Sequence, residues 1–375
     1  MSGDSKTKEK HGQARTAGLI ALTTLVALGV GGFGCAARPK PLELVWPEPP
    51  ETPRIKFVRT LSSEEDLRNP SAWQKLGDLA IGRERPVGHI SQPIGLAVSD
   101  DTQRLYVSDF AQGLVYVFDF GEGEVTLLGR QQPLGRPAGL AIDAADNLYV
   151  VDQDKNRILV FDRTYNLTRI MTPPEIVRAT GIALDRKRGV LYVADTSKNS
   201  SPDHFVRAYD LEGHFIRNVG KGRGLDPGFL MFPTYVYVDD SGHLYVSDTI
   251  NARISEFDAD GNFVGIFGAM GEHYGEMYKP KGVALDTFGN LYVVDSAWSV
   301  VQIYNKLGQP LLFFGGRNAY PGMLQNPTAI AIDRKNRIYV ADTYNFRVNV
   351  YDLINTSAAD SVPEPKPATG NNGPS

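Results

Sequence analysis

The sequence predicts an all-β protein, a six-bladed β-propeller whose ring is closed by an N-terminal strand. Two observations carry this prediction. A segment of the form Leu/Ile-Tyr-Val-x-Asp occurs six times, and its copies end at Asp109, Asp152, Asp195, Asp248, Asp295 and Asp342. The copies are 43 to 53 residues apart. A period of this size, filled with short alternating apolar segments, is typical of a propeller blade with four strands.

The fourth repeat shows what one blade contains. Residues 233–239 are rich in β-branched and aromatic side chains and predict the first strand. The turn residues Asp-Ser-Gly-His at 240–243 then lead to a second strand at 244–248. A third strand is predicted at 254–258 and a fourth at 262–268. The Asp that recurs at the end of the first strand is expected to cap the hairpin that follows it.

The Asp that ends each repeated segment is predicted to have a structural role. In three repeats an Arg follows at similar spacing, and a carboxylate and a guanidinium placed in this way can pair across a tight loop. The expected pairs are Asp152 with Arg157, Asp248 with Arg253, and Asp342 with Arg347. Repeats one and five lack the Arg, so the pair is not required for the fold.

These patterns resemble the NHL repeat. The resemblance lies in a Pro-x-Gly-hydrophobic-Ala-hydrophobic-Asp strand, then Gly-Asn-Leu-Tyr-Val-x-Asp, then Asn-x-Arg-Ile-x-x-Phe-Asp, and it extends over about residues 91–352. It implies a six-bladed propeller and leaves the activity open, because NHL-type propellers include both binding proteins and lyases.

The sixth repeat ends after its third strand, so a fourth strand has to come from elsewhere. Residues 54–61 resemble an outer strand, and pairing them with the last blade would remove an exposed edge. The propeller is therefore predicted over 54–354, with a bridging segment at 62–90 that contains a short helix at 70–80. Residues 355–375 have no apolar periodicity and are expected to be a disordered tail.

Residues 1–34 predict a signal peptide, with four basic residues followed by an apolar run at 17–33. A membrane-spanning helix is the alternative, although several glycines weaken the end of the run.

Cys35 is the sole cysteine, and its position resembles the lipidated Cys of bacterial lipoproteins; a secreted protein without a lipid is the other possibility. Lipidation would anchor the protein to a membrane of the bacterial cell envelope, and by resemblance Ala36 favours the outer membrane, facing the periplasm. The Pro-rich residues up to 53 predict an extended tether, in which Trp46 has no assigned role.

Charge narrows the class of partner. The formal charge is −4, and Lys and Arg are scattered over the loops without forming a basic stripe, so nucleic acid is not expected as a partner. A protein or peptide partner is expected instead, bound by aromatic and basic side chains in the loops of one face of the propeller. The candidate residues are Phe110, Arg136, Tyr274, Tyr278, Lys279, Lys281, Trp298, Tyr320 and Tyr344.

The competing hypothesis is a periplasmic lyase or hydrolase. His89, His204 and His273 all lie in segments that can reach the same face, and three histidines can hold a zinc ion with an open position for water. Peptide-amidating lyases, which have NHL-type propellers, use zinc held by histidines, whereas lactonase propellers use carboxylates and an Asn around the axis. The three histidines are not at equivalent positions in their repeats, which argues against a metal site. The favoured prediction is a binding scaffold without a cofactor; zinc or calcium belongs to the enzyme alternative.

Overall fold

A computed structural model describes residues 43–68, 88–198 and 200–358. In this part of the chain, six antiparallel sheets are arranged as the blades of a propeller. The innermost strands of neighbouring blades contact each other around the whole ring, including blade six with blade one. The predicted six-bladed, nearly all-β fold is confirmed.

Each blade is a meander of strands a to d, counted from the axis outward. The strands of blades one to three are β3 (Pro93–Val98), β4 (Arg104–Asp109), β5 (Leu114–Asp119), β6 (Glu124–Leu128), β7 (Pro137–Ile142), β8 (Leu148–Asp152), β9 (Arg157–Phe161), β10 (Leu167–Met171), β11 (Ala179–Asp185), β12 (Val190–Asp195), β13 (Phe205–Asp210) and β14 (Phe215–Val219). Those of blades four to six are β15 (Pro233–Val238), β16 (Leu244–Asp248), β17 (Arg253–Phe257), β18 (Phe263–Phe267), β19 (Pro280–Leu285), β20 (Leu291–Asp295), β21 (Val300–Tyr304), β22 (Pro310–Gly315), β23 (Pro327–Ile332), β24 (Arg337–Asp342) and β25 (Arg347–Leu353).

The ring is closed by the strand that the sequence predicted. Strand β2 (Ile55–Leu61) pairs antiparallel with β25, from Ile55 opposite Leu353 to Leu61 opposite Val348. The side chains of Ile55 and Leu61 are fully buried, so the closing strand is also part of the core. Blade six therefore obtains its outer strand from the other end of the propeller sequence.

The predicted tether needs a correction at its end. Strand β1 (Val45–Trp46) pairs with β2 and adds a fifth strand to blade six. The Trp46 ring lies 5.9 Å from the rings of both Phe314 and Tyr351, in the junction between blades five and six. The Pro-rich composition of this segment did not indicate a strand. The strand forms because the Trp46 indole is buried among aromatic side chains.

The a–b hairpins are held by the predicted capping aspartates. Asp143, Asp286 and Asp333 each accept two backbone N–H groups of their own turn at 2.8–2.9 Å. The a–b and c–d hairpins form one face of the propeller, here called the lower face. The b–c loops and the connectors from strand d to the next strand a form the opposite, upper face.

A short helix, α1 (Glu65–Arg68), follows the closing strand. The predicted signal peptide, Cys35, the predicted helix at 70–80 and the tail from 359 onward lie outside the described residues. Within the described ranges, no helix is both long and apolar enough to cross a membrane.

Candidate functional site

The upper loops are fixed by the aspartates that end the b strands, all six of which are fully buried. The three predicted ion pairs form, each with 2.9 Å between the Arg Nε and an Asp Oδ2: Asp152–Arg157, Asp248–Arg253 and Asp342–Arg347. A fourth pair, Asp195–Arg207 at 2.8 Å, was missed because an insertion in blade three lengthens the spacing. These carboxylates also accept backbone N–H groups of the preceding connector, as Asp152 does from Gly135 and Arg136.

Blades one and five use other donors for the same purpose. Asp109 accepts a hydrogen bond from the Gln112 side chain at 2.6 Å. Asp295 accepts the backbone N–H groups of Tyr278 at 2.8 Å and of Trp298 at 3.3 Å. One buried carboxylate thus holds two loops that carry predicted binding residues.

The blade junctions are filled by aliphatic side chains. Leu230, Met277 and Leu324 are fully buried, and the connectors fold over them through short backbone hydrogen bonds, such as the one from Leu324 N to Gly316 O at 3.0 Å. Because these side chains fill the junctions, the tyrosines of the same connectors, Tyr274, Tyr278 and Tyr320, are not needed there.

The aromatic side chains of the upper loops remain exposed to solvent. Trp298 is 42% exposed, Tyr344 57% and Tyr320 72%, and Tyr274 and Tyr278 are exposed as well. We call these five residues the aromatic loop surface. Ile250 and Phe346, in the b–c loops of blades four and six, are also exposed and were not predicted as site residues. The sequence could have indicated both residues, because each is a large apolar residue at a loop position where the blade pattern does not require one.

The loops that carry Trp298, Tyr320 and Tyr344 are tied to one another. The Arg317 guanidinium donates to the carbonyl of Ala297 at 2.8 Å, which joins the connector to the b–c loop of blade five. Arg347 donates to the carbonyl of Tyr320 at 2.7 Å, which joins the same connector to blade six. The three aromatic residues therefore belong to adjacent segments at one blade junction.

The other predicted partner-binding residues differ from one another in exposure and in contacts. The guanidinium of the exposed Arg136 lies 5.3 Å from the centre of the half-buried Phe110 ring, so these two side chains interact with each other. Lys279 is exposed, and Lys281 is half-buried at the start of β19. Burial lowers the pKa of Lys281 to about 8, and the neighbouring Lys279 charge acts in the same direction.

The axis of the propeller is blocked by a side chain that sequence reasoning did not single out. The Tyr235 hydroxyl on blade four donates to the carbonyl of Ile94 on blade one at 2.7 Å. Blades one and four are opposite each other in the ring, so this side chain crosses the axis. A cavity of about 900 Å³ extends from Tyr235 along the inner strands to the a–b hairpins of the lower face.

The three candidate zinc ligands do not come together. His89 and His273 are exposed, whereas His204 is fully buried, accepts the Phe232 N–H at 3.2 Å and packs against the Phe232 ring. Burial lowers the pKa of His204 and so favours its neutral form. Among the residues that the structure describes, no three His, Cys, Asp or Glu side chains form a group able to hold a metal ion. His89, His204 and His273 therefore do not form a shared zinc site in this structure.

Comparison with known protein families finds two matches in the chain. Residues 78–197 match the family described as the SMP-30/gluconolactonase/LRE-like region, and residues 324–351 match the NHL repeat. The protein brain tumor of Drosophila melanogaster is 26% identical over 162 residues, which are 42% of this chain and 14% of that much longer protein. The chain thus corresponds to a small part of this relative.

Two solved propellers share the fold. The virginiamycin B lyase of Staphylococcus aureus, determined with quinupristin, has a TM-score of 0.53 and 14% identity, over 70% of this chain and 96% of that one. A gluconolactonase of Xanthomonas campestris has a TM-score of 0.53 and 16% identity, over 70% of this chain and 86% of that one. Similarity at this level of identity concerns the fold alone. Together with the six repeats and the six blades, these matches show a six-bladed β-propeller that contains an NHL repeat at residues 324–351.

Proposed function

We propose that this protein is a membrane-anchored, extracytoplasmic scaffold that binds a protein or peptide partner on its aromatic loop surface. The observation that carries the proposal is the exposure of Trp298, Tyr320 and Tyr344 at one blade junction, where the connector is packed through the buried Leu324. Large aromatic side chains are enriched at the centres of protein interfaces, where each buries a large area with little loss of conformational entropy. A partner covering this surface would remove that apolar area from water.

The rigidity of the loops also supports binding. Asp295 accepts the backbone N–H groups of Tyr278 and Trp298, and the Arg347 guanidinium donates to the carbonyl of Tyr320. A surface that is ordered before binding loses less entropy when the partner arrives. Anchoring through a lipid on Cys35, in the envelope and facing the periplasm, is part of the same proposal and is supported by the apolar run that precedes this residue.

The proposal is tested with peptides selected from a random display library on the full-length protein. Trp298→Ala and Tyr344→Ala should each weaken the selected peptides at least tenfold and leave the unfolding temperature nearly unchanged. Phe215→Ala is the matched control, because this Phe has similar exposure on the outer strand of blade three. Equal binding by all three variants, or a large loss of stability in the Trp298 and Tyr344 variants alone, would contradict the proposal.

The second candidate function is a lyase or lactonase, favoured by the match of residues 78–197 to the SMP-30/gluconolactonase region. The described residues offer it no cluster of metal ligands. Elemental analysis of the full-length protein, together with a lactone hydrolysis assay, separates the candidates. Stoichiometric zinc or calcium with turnover that a chelator abolishes would favour the enzyme over the scaffold.

A further inference from the structure

Lys281 lies where the innermost strands converge, on the upper side of the Tyr235 barrier. It is the second residue of its a strand, and the same position is held by Thr180, Thr234 and Thr328 in three other blades. At the next residue, Gly282, a Cβ atom would lie 2.7 Å from the Ala329 Cα, so the inner strands are in close contact at this level. The lining of the lower cavity begins at Gly282 and does not include Lys281.

We call the region at the start of the inner strands the upper axial mouth, and threonine hydroxyls of blades four and six lie on either side of β19 there. Thr249 donates to the carbonyl of Pro280, the residue before Lys281, at 3.0 Å, and its hydroxyl lies 2.5 Å from that of Thr234. On the other side of β19, the hydroxyls of Thr328 and Thr343 are 2.8 Å apart. The floor is the Tyr235 phenol, fixed on the Ile94 carbonyl. The mouth therefore has polar walls.

The charge in this mouth is not balanced. Within the described part of the chain, no hydrogen bond or ion pair reaches the Lys281 ammonium, and its one charged neighbour is another cation, Lys279. The aspartates that end the b strands are engaged by loop N–H groups and guanidinium groups, as Asp295 is by the N–H of Lys279. A half-buried cation without a counter-charge is unfavourable, and an anion entering the mouth would relieve this.

We propose that the upper axial mouth binds a carboxylate group of the partner, with the Lys281 ammonium as its counter-charge and the neighbouring hydroxyls as polar surroundings. This inference rests on the proposed function and specifies it, since it makes the ligand a peptide that presents either its C-terminal carboxylate or an acidic side chain next to the aromatic loop surface. The strength of charge-assisted hydrogen bonds would make this contact a determinant of specificity.

The test uses three small probes on the full-length protein, with dissociation constants measured by NMR titration. N-acetyl-phenylalanine carries an α-carboxylate, its carboxamide carries no charge, and the α-amide of N-acetyl-glutamate carries a side-chain carboxylate alone. At pH 7 at least one of the two acids should bind tenfold or more tightly than the carboxamide, and the acid that does so identifies the source of the carboxylate. Equal binding of all three probes would overturn the inference.

Substitutions test whether Lys281 causes the preference for the acids over the carboxamide. Lys281→Met should abolish it and Lys281→Arg should retain part of it. Lys306→Met, at an exposed lysine in the c–d hairpin of the same blade on the lower face, is the matched control that should keep it. A preference that survives in Lys281→Met, or in Lys281→Gln if the Met variant does not fold, would overturn the inference. Loss of peptide binding in Trp298→Ala without any acid preference would leave the proposed function standing and this inference wrong. If the preference depends on Lys281 but Trp298→Ala leaves binding unchanged, this inference stands and the proposed function is wrong.

Discussion

At the scale of single residues, two exceptions to the blade pattern define the axis. Tyr235 stands where the other blades carry Gly95, Gly139, Gly181, Gly282 and Ala329. Lys281 stands one position earlier, where the other blades carry the uncharged residues Ile94, Ala138, Thr180, Thr234 and Thr328. In a repeat protein the positions that depart from the repeat are not needed by the fold, so a specific role is the natural explanation for them.

Lys281 should destabilise the protein in a pH-dependent way. The pKa of its ammonium falls from 10.5 to about 8 on folding, because burial disfavours the charged form. Between these two values the unfolded chain binds more protons than the folded one, so this residue makes stability rise with pH. Below pH 8 the full penalty of the buried charge remains.

Lys281→Met removes that penalty. The variant should therefore unfold at a higher temperature than the wild type at pH 7, and the difference should shrink between pH 8 and pH 10.5. Thermal unfolding followed by circular dichroism measures this, with Lys306→Met as a control at an exposed hairpin lysine. A constant difference over the whole pH range would show that the charge is not the cause.

At the scale of elements, strand β2 decides whether blade six is complete. Without residues 54–61, β25 would become an unpaired edge and the core would lose Ile55 and Leu61. This deletion should give a protein that unfolds at much lower temperature or aggregates. Deletion of residues 359–375, by comparison, should change the unfolding temperature by no more than a few degrees. Equal effects of the two deletions, measured by calorimetry, would contradict this role of β2.

The strands and hairpins could be predicted because their signals are local. Alternating apolar residues and capping groups such as Asp286 identify each element within a few residues. Trp46 and the Asp195–Arg207 pair were missed, because their partners are distant in sequence or displaced by an insertion. For Tyr235 the signal was present, since alignment of the repeats places a large side chain at a glycine position. Its contact across the axis, however, depends on the closed ring.

At the scale of the whole molecule, the proposed lipid anchor makes a prediction about location. Cys35 is the sole cysteine of the chain and directly follows the predicted signal peptide. Cys35→Ser should release the protein from the membrane fraction or leave an unprocessed precursor, because lipidation requires the thiol. Fractionation followed by immunoblotting checks this, and a variant that fractionates and migrates like the wild type would exclude lipidation.

The closure of blade six also sets the order in which the protein can fold. Strand β2 is synthesised before all six repeats, whereas its partner β25 is synthesised after nearly all of them. The edge of β2 that faces β25 must therefore remain unpaired until the rest of the propeller has been made, although the other edge can pair with β1 earlier. The contact between β2 and β25 joins residues that are far apart in sequence. Every chain interrupted before Arg347 leaves one edge of this apolar strand unpaired, which makes incomplete chains of this protein targets for proteolysis and aggregation.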